Sequence, residues 1–227
     1  MNMGNGKENG IMTLTEYLDA IAEKLGVTNL PDRLLTTYLE AFAKHEGVDV
    51  SALPDRLEST YLDAILKARG LQYFPDDLLT TKLEYLAATY GAVNLPDRMV
   101  GTFLEGIIAN IGTAVQAHQF IVTGNETFNY QAADKTVYYK NSDFTNVPHN
   151  SIIHAHCTHF KWDDGAVIAD LNDGCFLFNY TKSSGIGTGN ISFRRDDLFT
   201  SSSVAKEWFK EQAANGTPVI VTCYIKG

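Results

Sequence analysis

A chain of 227 residues, 44% hydrophobic and 20% charged, has the composition of a folded globular protein and the length for two modest cores. No run approaches the roughly 18 consecutive apolar residues of a membrane-spanning helix, so no membrane partner is expected. The net charge of −9 sits mostly in the first half, where Ile11 to Gly112 carries 8 Lys/Arg against 15 Asp/Glu. Such acidity repels phosphate backbones and argues against nucleic acid as a partner.

Residues 1–12 read as a flexible polar arm, rich in Gly and Asn and without the apolar core of a secretion signal. A repeat of about 21 residues follows, from 13 to 112, and its period marks an array of similar units. Leu30-Pro31-Asp32-Arg33, Leu53-Pro54-Asp55-Arg56, Phe74-Pro75-Asp76-Asp77 and Leu95-Pro96-Asp97-Arg98 open units; Gly26, Gly47, Gly70, Gly91 and Gly112 close them. Between opener and closer, apolar residues fall at helical spacing, as in Leu34, Leu35, Tyr38, Leu39 and Phe42. Proline is expected in the first helical turn, the following aspartate at the positive end of the helix dipole, and glycine at the left-handed C-terminus. Each unit is thus expected to be one helix of roughly 14 residues plus a connector of about 7.

One short helix per unit makes a thin array, since common helical solenoids use two or three. The wide apolar stripe therefore calls for a second layer, expected from further copies of the chain. Tyr17, Leu18, Leu39, Phe42, Leu62, Ile65, Leu83 and Leu104 are the expected contacts between copies.

From 113 to 227 the pattern changes to short β-rich runs. These are Phe120–Thr123, Thr136–Tyr139, Ser151–Ile153, Ala166–Ile168, Cys175–Tyr180, Asn190–Phe193 and Val219–Tyr224. Asn172-Asp173-Gly174 and Ser184-Gly185-Ile186-Gly187 read as turns between them. The pattern predicts an antiparallel β-sandwich or jelly roll with one helix, Ser203 to Ala214, capped by Ser202 or Ser203. The fold class is therefore segregated α+β.

Tyr17-Leu18-Asp19-Ala20-Ile21, Tyr38-Leu39-Glu40-Ala41-Phe42 and Tyr61-Leu62-Asp63-Ala64-Ile65, followed by a turn and Leu-Pro-Asp (Phe-Pro-Asp after the third), carry a family likeness. They resemble repeats in head-fibre and related fibre proteins of bacteriophages infecting Gram-positive bacteria. Lys82-Leu83-Glu84-Tyr85-Leu86 and Phe103-Leu104-Glu105-Gly106-Ile107 depart from that pattern. Ser203–Phe209 with Thr217–Tyr224 is similar to the closing helix and strand of β-sandwich modules in phage tail and fibre proteins. The resemblance implies a trimeric supercoil of the helical repeats, and with it a structural virion protein assembled in the bacterial host cytoplasm. It implies a homotrimer that contacts the capsid or other virion proteins, projects as a head fibre and aids attachment to the host surface. The alternative is a tail or baseplate adhesin whose β-domain binds a host cell-surface glycan.

No paired carboxylates or triad stand out for an enzyme acting on the envelope, and no cofactor is expected. His154 and His156 in the run His149–His159 would share one strand face, a spacing compatible with a metal ion. Cys157 would point to the opposite face and reads as a structural thiol, not a nucleophile served by His156. Cys157, Cys175 and Cys223 together suit a reducing compartment. Trp208 is expected to pack the last helix onto the sheet. Gly185-Ile186-Gly187-Thr188-Gly189 opens no helix and is not expected to cradle phosphate.

Overall fold

The computed structural model describes residues 12–133, 135–140, 152–162, 175–183, 186–195 and 197–227. Helices come first and strands follow, a mixed α+β chain. It divides into two compact units, Met1–Arg69 with Lys82–Thr113, and Gly70–Thr81 with Ala114–Gly227. The stretch Gly70–Thr81, a connector of the repeat in sequence, thus groups with the strands.

The repeat forms α1 (Leu14–Leu25), α2 (Leu35–His45), α3 (Glu58–Ala68), α4 (Leu79–Thr89) and α5 (Val100–Asn110), with a 3-10 turn at Val50–Ala52. These helices are 11 or 12 residues long, shorter than expected, because Leu-Pro-Asp-Arg stays outside them. Pro31 precedes the N-cap, Leu34, by three positions instead of opening the helix. Asp32 Oδ1 accepts the Leu34 N–H at 3.0 Å and the Thr37 hydroxyl at 2.6 Å, which fixes a turn rather than charging the first helical turn. Asp55 repeats this with Leu57 and Thr60, and Asp97 with Met99 and Thr102.

The same geometry puts the N-cap side chains off the helix face. Leu34, Leu57 and Leu78 are each 61% exposed and Met99 is 65% exposed, although the periodicity counts them with the apolar stripe. The closing glycines behave as expected. Gly26, at φ 69°, ends α1 while the Val27 N–H returns to Ala22 O at 2.8 Å, and Gly47 and Gly91 end their helices in the same way.

One register holds the array together. In α2, α3 and α4 the fourth residue (Tyr38, Tyr61, Lys82) reaches the sixth residue of the preceding helix. Tyr38 donates to Asp19, Tyr61 donates to Glu40 at 2.9 Å, and the Lys82 ammonium pairs with Asp63 at 2.7 Å. Arginines from the openers join the same acids: Arg33 to Asp19, Arg56 to Glu40, and Arg98 to Glu84 at 2.7 Å. The two departures from the repeat now have causes. In the fourth unit Asp77 occupies the arginine position, and Lys82, standing where tyrosine would, supplies the cation. In the fifth unit Phe103 has no hydroxyl, and Arg98 alone reaches Glu84.

The array then closes on itself. Helix α1 packs against both α2 and α5, and the Tyr17 hydroxyl donates to Glu105 Oε1 at 2.6 Å. Helix α1 thus has α2 and α5 of its own chain against it, and part of the second layer comes from within the chain.

The second unit holds two sheets. Strands β1 (Val115–Val122), β8 (Val219–Lys226) and β4 (Ile152–Cys157) form one, in the order β1-β8-β4. The other runs β2 (Asn129–Gln131), β3 (Thr136–Lys140), β7 (Ile186–Arg194), β6 (Cys175–Ser183), β5 (Lys161–Trp162). Neighbours are antiparallel except β5 and β6, which run parallel, unlike the wholly antiparallel sheet expected. Ile186 and Gly187 lie in β7, not in a turn. The segments Ala166–Ile168, Asp163–Gly165 and Asp170–Gly174 fall outside the described residues, as do His149 and the side chains of Trp162, Phe176, Phe178 and Tyr180.

Helix α6 (Ser202–Ala214) starts one residue earlier than expected, with Ser201 Oγ accepting the Val204 N–H at 3.2 Å. Phe209, Phe193, Phe199, Phe160, Phe128 and Cys223 are buried in one core between helix and strands. Trp208 lies edge-on to Phe160, 5.7 Å between centroids, and packs α6 against that core. Strand β8 is buried on both faces, which explains its unbroken run Val-Ile-Val-Thr-Cys-Tyr-Ile.

Candidate functional site

The three-stranded sheet has two faces with different chemistry. Register aligns Ala155 and His118 with Cys223, on the core side. On the other face it aligns His154 with Tyr224, and both Gln119 and His156 with Thr222. His154 and His156 therefore do share a face, with ring centroids 5.8 Å apart. Both rings lie against Tyr224, at 6.0 and 5.6 Å. Burial, with a smaller contribution from neighbouring His154, pushes the His156 pKa down to about 3.

Gln119 occupies the same face and holds the connector that groups with this unit. Its Oε1 accepts the N–H groups of Gln72 at 2.7 Å and Tyr73 at 2.8 Å. Its Nε2 donates to Tyr73 O at 2.8 Å and Thr222 Oγ1 at 2.9 Å. The connector comes so near that a Cβ on Gly70 would stand 2.5 Å from Ala117 O. At the positions corresponding to Tyr73, the first and fourth connectors carry Asn29 and Asn94 with positive φ. This local difference in backbone accompanies the third connector's pairing with the Gln119 side chain.

A neutral imidazole is the form that binds a metal, so His156 suits that role electronically. A complete set needs more: among the described residues no group of three or more His, Cys, Asp or Glu could hold an ion. Cys157 lies on the core face in register with Val221, and burial pushes its thiol well above the ordinary range. A buried thiol raised in this way is a poor nucleophile.

No family model, curated protein or solved structure matches this chain.

The side chains expected to join copies sit elsewhere. Tyr17, Leu18, Phe42, Leu62, Ile65, Leu83 and Leu104 are all buried within one chain, between 3% and 8% exposed, and Leu39 is half-buried. Within one chain these side chains, which the sequence assigns to contacts between copies, pack as an internal core of the helical unit.

A second cluster was not visible in the sequence. The residues just before the glycines of units two, three and four are Glu46, Arg69 and Tyr90, and they meet in the helical unit. Arg69 pairs with Glu46 at 3.1 Å, donates to Thr89 and lies 3.7 Å from the centre of the Tyr90 ring. Tyr90 donates to Glu46 at 3.3 Å, and burial pushes its hydroxyl up to about 12. The repeat alignment does place these three residues at one position, and that equivalence was the signal available. Tyr90 touching Glu46, two units away, requires the array to curve.

Proposed function

We propose that the protein is a non-enzymatic structural component of a bacteriophage virion, of the head-fibre type. One observation carries the structural part of this reading: the repeat motif residues act on one another. Tyrosines, acids and opener arginines join adjacent helices, and opener aspartates and threonines fix the turns. A module built in this way is suited to holding a shape and presenting a surface. The virion assignment rests on the resemblance of the Tyr-Leu-Asp-Ala-Ile and Leu-Pro-Asp units to phage fibre repeats. A threefold assembly would bring together helical units in which Leu18, Leu62 and Leu104 are already covered within each chain.

The test uses particles purified from the lysed bacterial host. Mass spectrometry should find the chain in fixed proportion to the major capsid protein, and gold-labelled antibody should mark the head. Label on the tail would favour the glycan-binding adhesin instead, and absence from washed particles would end the virion reading.

A further inference from the structure

The contact that closes the helical unit has the same form as the contacts inside it. Tyr17 stands to Glu105 as Tyr61 stands to Glu40: fourth residue of one helix to sixth residue of its neighbour. The faces of α1 and α5 that meet here are therefore of the kind by which α2 joins α1 and α3 joins α2. A second copy's α1 presents the same face and the same hydroxyl. We propose that α5 of one chain can receive α1 of another chain in place of its own, so that opened helical units link head to tail. This deepens the fibre reading above and rests on it for its purpose, but its geometry comes from the closing contact alone.

The α5–α1 seam also differs from the others in its charges. Elsewhere the acid takes a cation as well as, or instead of, a hydroxyl: Arg33 on Asp19, Arg56 on Glu40, Lys82 on Asp63, Arg98 on Glu84. At the closing seam the repeat position of those arginines is occupied by Met12. Among the described residues, Glu105 is joined across the seam by the Tyr17 hydroxyl without an ion pair. On α5 the receiving surface carries Gly101, where the other helices have Thr15, Thr36, Ser59 and Thr80, and a Cβ there would stand 3.4 Å from the Tyr17 hydroxyl.

Exchange of an identical element between copies creates no new contact, so concentration decides the outcome. The internal α1 wins while other chains are dilute relative to its own effective concentration, on the order of millimolar for a flexible tether. Chains anchored side by side on one particle reach that regime. A head-to-tail contact of this kind closes into a ring wherever its rotation permits, and a threefold ring is one such closure.

The experiment is complementation with full-length chains. Leu18→Asp spoils the α1 face and leaves α5 intact, and Leu104→Asp does the reverse. Each variant alone should remain a single chain by light scattering, whereas an equimolar mixture should form a heterodimer, with one sound α1–α5 seam. A mixture that keeps the monomer mass overturns the proposal. Because either variant could fail to fold, the wild-type chain is tested in parallel. After unfolding in urea it is refolded at about 1 mM and at about 1 µM, then diluted to the same concentration. A larger species that persists for hours only in the concentrated sample supports exchange. Equal monomer masses in both samples overturn it, and so does an assembly that dissociates at once on dilution. Neither result bears on where the protein sits on a particle, so the two readings fail separately.

Discussion

Tyr17 and Glu105 lie 88 positions apart and are joined by a 2.6 Å hydrogen bond that repeats the bond of Tyr61 to Glu40. The last repeat thereby becomes a neighbour of the first. Much of the apolar stripe then faces inward, and Tyr61, Phe103 and Ile107 are almost wholly buried in a single chain, while Leu14, Leu34, Leu57, Leu79 and Met99 stay exposed. Sequence periodicity alone does not reveal this contact, because it treats the array as open.

Core substitutions should separate these two pictures. Leu104→Ala and Leu62→Ala should each cost about 2–5 kcal/mol, the range for truncating a buried leucine. If the leucines are internal, the loss measured by urea unfolding is the same at 1 µM and 100 µM protein. A loss that grows on dilution would instead place them between subunits.

Much of this fold was legible because it is local. The glycines end helices as expected, since a helix C-terminus needs a left-handed residue and glycine has no Cβ to oppose it. The second half of β7, Asn190–Phe193, and the packing of Trp208 against the core followed from alternation and from the lone amphipathic helix. The closure of the helices was not legible, because curvature accumulates over five units and no single motif states it. Nor was the place of Leu34, which reads as stripe but lies at an N-cap once Asp32 has fixed the turn. For the histidines, spacing gave the shared face. It could not give Tyr224 as their neighbour, which depends on the register between β4 and β8.

The Glu46–Arg69 pair invites a paired substitution. Both side chains are about five-sixths buried, at 15% and 17% exposed, so removing one partner leaves a charge largely cut off from water. Glu46→Leu should cost about 3 kcal/mol, in line with broken buried pairs. The double change Glu46→Leu with Arg69→Met should recover most of that loss, because two apolar side chains replace two desolvated charges. Urea midpoints of the four proteins give the coupling directly. A double variant as unstable as the sum of the singles would show that Arg69 acts through Tyr90 and Thr89 rather than through Glu46.

The opener aspartates should make the helical unit sensitive to acid. The Thr37 hydroxyl, then the Leu34 N–H, hold the Asp32 carboxyl below its usual range, and Asp55 and Asp97 are held down in the same way by Thr60 and Thr102. A depressed folded-state value means the stabilisation is present above the unfolded pKa of about 3.9 and is lost as pH falls through the folded value. Helical signal followed in urea should therefore show a midpoint that drops below pH 4. Asp32→Asn, Asp55→Asn and Asp97→Asn combined should flatten that drop, since the amide oxygen still accepts both bonds but does not titrate. An equally steep drop in the triple variant would assign the acid transition to other carboxylates.

His156 should act in a different window. Its folded-state pKa of about 3 lies far below the unfolded value of about 6.5, so between these limits the unfolded chain binds a proton that the folded chain refuses. The contribution is complete above pH 6.5 and declines steadily as pH falls toward 3, before and through the range of the aspartates. Two measurements check it. The imidazole resonances of His156 should stay at their neutral positions from pH 8 to pH 4 in the folded protein. His156→Gln should remove the slope of stability between pH 6.5 and 4 while leaving the fall below pH 4, which belongs to the opener turns. Tyr224, ring against ring with both histidines, makes the expectation specific. A charged imidazolium would have to remain in that stack, so a titration of His156 near pH 6 would mean that the face is open to water.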